Sequence, residues 1–247
     1  MKLNDVLHEI YSRQMMMKEI GETGQLKLAA ASVLVAGCGG LGASVLYYLT
    51  AAGVGHLGLC DGDTVSLSNL NRQILFTASD AGKPKASTAK ERLTALNPLI
   101  KATVYDKPVD EILAKKVIKD YDVIVDCLDN FESRFVLNDI CVEEEKPLIH
   151  AGVGEFYGQL MTIIPGKSSC LRCLFPNGIL DKVSTAGIIG TTPGVIGTMQ
   201  ALEVIKYLLG LPVYTEGLIA FDTLALSLEK VGFKQAEDCI CRKGNNT

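Results

Sequence analysis

The chain has 247 residues, enough for one large α/β domain or two small ones with a sizeable core. Hydrophobic residues make up 48% and charged residues 21%, a globular balance that excludes a disordered chain, and the net charge of -4 implies no basic face for DNA. Met1 to Asp5 lacks the apolar run of a secretory signal, and the apolar stretch around Val195 to Leu211 carries Glu203 and Lys206 and is too short to span a bilayer, so a soluble cytoplasmic protein is expected.

Asp5 to Ile20 alternates apolar and polar residues at helical spacing up to Gly21, and Gln25 to Ala30 reads as a second short helix. Within the first lies Tyr11-Ser12-Arg13-Gln14, where the plain reading of Arg13 is a solvated side chain. Val33 to Ala36 reads as a buried strand. Gly37-Cys38-Gly39-Gly40-Leu41-Gly42 then forms a tight turn into a helix over Ala43 to Ala52. This strand–glycine turn–helix unit sets a phosphate on a helix N-terminus. Gly37 allows the turn, Gly39 lets the phosphate approach, and Gly42 lets the helix pack on the strand. A second strand, His56 to Cys60, ends at Asp61, an acid able to accept from ribose hydroxyls. A nucleotide site is expected, the alternative being a glycine-rich turn that binds no ligand. Its commonest owner is a dinucleotide-dependent oxidoreductase, and a non-catalytic nucleotide-binding scaffold is a further reading.

The stretch from Gly62 to Gln73 is polar and aperiodic, hence a loop. It lies beyond strand C-termini, where open α/β sheets bind ligands, and it carries Asp63, Ser68, Asn69, Arg72 and Gln73. Gly82-Lys83-Pro84-Lys85 leads into a helix over Ala86 to Leu96. Lys85 lies in its first turn, where a cation is unfavourable unless an anion is near. A polyphosphate supplies that anion, and a solvated surface lysine is the alternative. Lys101 to Tyr105 reads as a strand, Asp110 to Lys119 as a helix, and Tyr121 to Cys127 as a buried strand ending in Leu128-Asp129-Asn130. Asn130 caps a helix over Phe131 to Glu144. Asp129 faces the same crevice as Asp61, where it holds magnesium through oxygen or simply closes a strand–helix turn.

Leu148 to His150 and Gln159 to Ile164 are two more strands. The alternation from Val33 to His150 predicts a Rossmann-like, doubly wound, mostly parallel α/β sheet. Leu218 to Asp222 and Leu224 to Val231 are joined too closely to be anything but antiparallel. Between Ile164 and this strand pair lie a glycine-rich crossover loop, Phe175 to Pro193, and an apolar helix, Gly194 to Leu209. No linker interrupts the chain. One domain over 1–247 is expected, with N-terminal helices over 1–30, a nucleotide-binding half over 31–165 and a final part over 166–247.

Eight cysteines without a secretory signal imply reduced thiols or metal ligands. Cys38, Cys60, Cys127 and Cys141 sit in apolar surroundings as small hydrophobes. Cys170-Leu171-Arg172-Cys173 is a C-x-x-C knuckle, and Cys239-Ile240-Cys241 follows the last strand. Two thiolate pairs make a tetrahedral zinc site that clips the C-terminus to the loop after Ile164. The C-x-C spacing is tighter than the usual knuckle, and metal-free thiols are the alternative. A redox motif is disfavoured because this knuckle does not open a helix after a strand.

Together these stretches resemble the ThiF/MoeB/HesA enzymes, bacterial relatives of the ubiquitin-activating E1 proteins. The resemblance rests on Tyr11 to Gln14, the glycine turn, Asp61-Gly62-Asp63, Ser68 to Gln73, Gly82 to Lys85 and Asp126 to Asn130. Thr185-Ala186-Gly187, Pro193 to Gly197 and the cysteine pairs match as well, so nearly the full length is covered. It implies an adenylyltransferase that uses ATP and Mg2+. The substrate would be a small ubiquitin-like sulfur-carrier protein of the ThiS or MoaD type, ending in Gly-Gly, in thiamine or molybdopterin biosynthesis. By the same resemblance Gly40 and its neighbours contact the nucleotide, and Asp61 holds the ribose. Asn69, Arg72 and Lys85 meet phosphates, Asp129 ligates magnesium, and Arg13 reaches across a homodimer into the partner's site. Adenylyl transfer needs positioning and cations, whereas hydride transfer needs neither arginine nor lysine here. Some members carry a cysteine shortly before the T-A-G stretch. Val183 and Ser184 stand there in this chain, so no covalent thioester is expected. A sibling activity, adenylation of a tRNA-linked carboxylate, is opposed by the net charge and the short C-terminal region.

Overall fold

The computed structural model describes residues 3–176, 178 and 187–242, with side chains from residue 8 onward. Five strands form a parallel array: β1 (Ser32–Ala36), β2 (His56–Cys60), β3 (Lys101–Tyr105), β4 (Val123–Asp126) and β5 (Leu148–Gly154). β6 (Tyr157–Ile163), β7 (Gly217–Asp222) and β8 (Ser227–Gly232) continue it antiparallel. The spatial order is β3-β2-β1-β4-β5-β6-β7-β8. The order reverses between β1 and β4, and a crevice opens at the C-terminal ends of such neighbours because their connections leave to opposite faces.

The helices are α1 (Leu3–Met15), α2 (Gly21–Ala30), α3 (Gly40–Ala52), α4 (Lys85–Leu96), α5 (Glu111–Val117), α6 (Phe131–Glu143), the one-turn α7 (Leu171–Leu174) and α8 (Thr191–Leu209). The small apolar runs of β1 and β4 are buried on both faces, as a parallel sheet with helices on each side requires. Val33, Val35 and Val125 face a core shared with α2, α3, α4 and α8. Leu34, Ala36 and Ile124 face a second core with α5, α6 and α7. Cys38, Cys60, Cys127 and Cys141 are all buried in these cores. Among the described residues, no helix is long and apolar enough to cross a membrane.

The expected doubly wound sheet is present, and the differences lie at element ends. α1 stops at Met15, and α2 starts at Gly21, which takes the left-handed φ of +55°. α3 begins at Gly40 because the glycine turn winds straight into it. α8 begins at Thr191, with Pro193 in its first turn, where the missing N–H costs nothing. β5 runs on to Gly154 because it pairs with β6 as far as Gly154↔Tyr157. Much of the crossover loop, with Val183, Ser184, Thr185 and Ala186, lies outside the described residues.

Candidate functional site

A cleft of about 880 Å³ lies at the switch point, bounded by the glycine turn, the ends of β2 and β4 and the β5–β6 hairpin. Two glycines make its floor possible. Gly37 has φ +98°, and a Cβ there would meet the Cys127 carbonyl oxygen at 2.5 Å. A Cβ at Gly42 would stand 2.0 Å from the Gly37 carbonyl oxygen, so α3 can lie this close to the turn only without a side chain there. Gly37, Gly39 and Gly40 line the cleft, whereas Gly42 serves the packing beneath it. At the end of β2, Asp61 accepts from the Cys38 N–H at 2.7 Å and the Asp63 N–H at 2.8 Å. Its carboxylate thereby ties the glycine turn to the next loop. Burial raises its pKa, although these two bonds work the other way.

Lys85 is the first residue of α4 and is only 5% exposed, which removes the reading of a solvated surface lysine. Its Nζ lies 2.8 Å from Asp63 Oδ2, an exposed carboxylate at the cleft. An ammonium at a helix N-terminus, out of water, needs such an anion. Arg72 also lines the cleft, with Nη1 donating to Ser68 O at 3.0 Å and Asn71 Oδ1 at 2.9 Å. Gln73 is buried at the cleft, and its Oε1 has no partner among the described residues. The side chains of Ser68 and Asn69 shape the loop and are outside the cleft lining. Asn69 Oδ1 accepts from the Ser66 N–H at 3.1 Å, and Ser68 Oγ lies 3.0 Å from Ser66 Oγ. Buried Asp80 holds the far end of the loop through Thr77, Lys83 and Arg92, contacts that pull its pKa down, Arg92 first.

Asp129 is exposed at the end of β4 and lines the cleft, while Asn130 Oδ1 caps α6 by accepting from the Ser133 N–H at 2.9 Å. Among the described residues, the Asp129 carboxylate has one weak neighbour, Asn130 Nδ2 at 3.5 Å. A carboxylate left open beside a phosphate-binding turn suits magnesium, which takes one or two carboxylates and completes its shell with phosphate oxygens and water. Arg134 also lines the cleft, and sequence reasoning missed it. It is 7% exposed in the first turn of α6, and its guanidinium donates to the Leu128 and Ala151 carbonyls. The signal was available: a cation in the first turn of a helix needs a local acceptor, as at Lys85.

Arg13 stands apart from the cleft. It is exposed on α1, between two residues that anchor the helix. Tyr11 is buried and accepts from Asn97 Nδ2 at 2.7 Å, and Gln14 Nε2 donates to Ala52 O at 2.9 Å.

On the α6 side of the sheet, Cys170, Cys173, Cys239 and Cys241 bring their sulfur atoms within 4.8 Å of one another. Cys170 and Cys239 are 3.4 Å apart, and Cys173 and Cys241 are 3.5 Å apart. Tetrahedral Zn–S bonds of about 2.3 Å separate sulfurs by about 3.8 Å, so the four thiols fit zinc. Burial pushes Cys170 up to about 12 without metal. One expectation fails here: Cys170 does open a helix, as the N-cap residue of α7. Four converging thiols, rather than a missing helix, distinguish this cluster from a two-thiol redox pair.

A ThiF family model matches residues 11–242. The chain belongs to the ThiF family. It is 40% identical to the sulfur carrier protein adenylyltransferase of Thermus thermophilus, over 94% of this chain and 89% of that protein. It is also 40% identical to the sulfur carrier protein ThiS adenylyltransferase of Escherichia coli, over 99% of this chain and 98% of that one. The mouse adenylyltransferase and sulfurtransferase MOCS3 is 40% identical too, but this chain spans 51% of it. Among solved structures, E. coli MccB with MccA superposes with a TM-score of 0.82 at 26% identity, covering 95% of this chain and 74% of that one. MccB with ATP gives 0.79 at 25%, covering 93% and 73%.

Proposed function

We propose that this ThiF-family protein is an ATP-dependent adenylyltransferase that activates the C-terminal Gly-Gly carboxylate of a ubiquitin-like sulfur carrier. The observation that carries this reading is the convergence of Asp61, Arg72, Lys85 and Asp129 on one glycine-floored cleft. The carrier's carboxylate is already ionised at neutral pH, so the chain need supply no general base. A carboxylate oxygen bonds to the α-phosphorus of ATP, the bond from that phosphorus to the bridging oxygen breaks, and pyrophosphate leaves. Negative charge grows on the phosphate oxygens, and Arg72 and Lys85 oppose it. Asp61 accepts from the ribose, and Gly39 and Gly40 offer backbone to the phosphates. Asp129 would hold a magnesium ion, which when bound would supply positive charge at the phosphates. Gln73 completes the phosphate side of the site, and Ser68 and Asn69 serve it by holding the loop that carries Arg72.

The other assignments belong to the same proposal. The four cysteines hold a structural zinc ion. Arg13 enters the site of a second copy of the chain in a homodimer, and residues 1–247 act as one cytoplasmic domain. The carrier docks where the β5–β6 and β7–β8 turns sit side by side, joined by the Thr223 N–H donating to Phe156 O at 2.7 Å. Phe156, Tyr157 and Leu224 are exposed there, and Tyr157 also lines the cleft. The adenylate is released without a thioester. Residues 175–193 contain no cysteine, and burial pushes the cleft thiol of Cys60 up to about 12 and that of Cys127 well above its ordinary value.

Carrier-dependent exchange of labelled pyrophosphate into ATP tests the proposal. Exchange is expected with a carrier ending in Gly-Gly and is expected to be lost in Asp129→Asn. Its absence with both ThiS-type and MoaD-type carriers overturns the reading.

A further inference from the structure

Behind the cleft, three ionisable side chains with no role in the reaction above form a closed network. Asp126 and His150 are register partners on β4 and β5, 0% and 1% exposed, with His150 Nδ1 2.6 Å from Asp126 Oδ2. Asp126 Oδ1 accepts from the Leu128 N–H at 3.0 Å. Arg134 Nε lies 3.9 Å from Asp126 Oδ2 and donates to Leu128 O at 3.1 Å, and Nη2 donates to Ala151 O at 3.3 Å. Both backbone polar groups of Leu128 are therefore held, the N–H by Asp126 and the carbonyl by Arg134. Leu128 is the residue before Asp129. On the other side of Asp129, Asn130 is fixed as the cap of α6.

Among the described residues, Asp129 itself has almost nothing to orient it directly, so its direction is inherited from the two fixed residues beside it. Burying a carboxylate, a guanidinium and an imidazole costs free energy that a packed apolar core would not, and a buried ion pair is by itself poor evidence of stabilisation. Placement here has a local consequence: the network clamps the strand end that carries the open carboxylate. We propose that His150 is a positioning residue, acting through Asp126 and Leu128 to aim the Asp129 carboxylate at the metal of the nucleotide complex. This rests on the nucleotide reading above and extends it to residues that touch neither nucleotide nor carrier. His150 donates through Nδ1. Its Nε2 has no partner among the described residues, so the bond to Asp126 is the one polar contact this ring makes there.

The test compares side chains that keep or lose that donor. The amide nitrogen of asparagine falls near the position of Nδ1, whereas that of glutamine falls near Nε2. Leucine keeps the volume with no donor. ATP affinity is measured by calorimetry in magnesium-free buffer and with magnesium chloride, on full-length protein that retains its zinc. Groups that orient a metal ligand typically govern affinity by about 10–100-fold. His150→Leu and His150→Gln are expected to lose about that much of the magnesium-dependent gain, with magnesium-free affinity retained, and His150→Asn to restore it. Adding Asp129→Asn to His150→Leu should remove little more. An undiminished magnesium-dependent gain in folded His150→Leu overturns the proposal. If that variant does not fold, equal gains in His150→Asn and His150→Gln do so. Missing magnesium dependence in the unsubstituted protein also overturns it. Magnesium-dependent ATP binding without carrier-dependent exchange defeats the functional reading alone and leaves the positioning role standing.

Discussion

His150 shows how one buried ring links burial, charge and pH. Burial lowers its pKa, the bond to Asp126 pulls the other way, and Arg134 adds to the lowering. The folded ring is therefore neutral at pH values where an unfolded one begins to charge. Below about pH 6.5, the ordinary histidine value, the unfolded chain takes up a proton that the folded chain refuses. Stability from this group is fully present above that pH and is lost as acid is added, down through the lowered folded value. Urea unfolding of the unsubstituted protein between pH 7.5 and 5.5 is expected to show the loss, with part of the slope absent in His150→Asn, about pH 6.5 being where the two curves begin to part. A slope identical in the two proteins would show that other groups set the acid sensitivity.

Among the elements, the cysteine clip has the clearest separable contribution. The turn over Ile240–Arg242 and the one-turn α7 have little regular structure of their own, yet their cysteines and Leu171 belong to the core against α6. The Leu171 N–H donates to Asn138 Oδ1 at 3.0 Å, and Arg172 pairs with Asp139 at 2.7 Å, so the clip also fastens α7 to α6. One zinc per chain is expected by atomic emission. Cys241→Ser or chelation should cost about 3 kcal/mol, lowering the melting temperature by about 6–12 °C in a chain of this size. An unchanged melting temperature after metal removal would show that the thiols pack without it. The clip was legible as two cysteine pairs, but α7 was not, because four residues carry no periodicity. β1, β2 and β4 were legible because a short apolar run between turn residues has few other homes in an α/β chain. The extra length of β5 was hidden, since it comes from pairing with β6. The break between α1 and α2 was legible but misplaced at Gly21, because Met16 to Glu19 holds no proline or glycine to mark where α1 stops.

For the whole molecule, the sheet's switch point explains how residues scattered from Gly37 to Asp129 meet in one cleft, and their places just beyond strand C-termini made that meeting legible. The Asp126–His150 pair was not legible, because it depends on which residues face one another across strands. Arg13 poses the converse problem, since its motif suggests the site while its helix holds it elsewhere. Tyr11 and Gln14 bind α1 to the body of the same chain, so Arg13 cannot swing inward without breaking the Tyr11–Asn97 bond. The proposed two-fold dimer would resolve this, because an isologous interface that delivers one Arg13 to a partner's cleft delivers both. The consequence is quantitative. Arg13→Ala and Asp129→Asn homodimers should each be inactive in pyrophosphate exchange. Mixed in equal amounts and allowed to exchange subunits, half the dimers pair one chain of each kind. In each of those, one cleft has its own Asp129 and receives Arg13 from the other chain, while the second cleft lacks both. About a quarter of all clefts are then intact, and activity should recover to about that fraction. If Arg13 acted on its own chain's cleft, no cleft in any mixture would be complete and activity would stay at background, a result that would assign the residue to the cis site or to the interface alone.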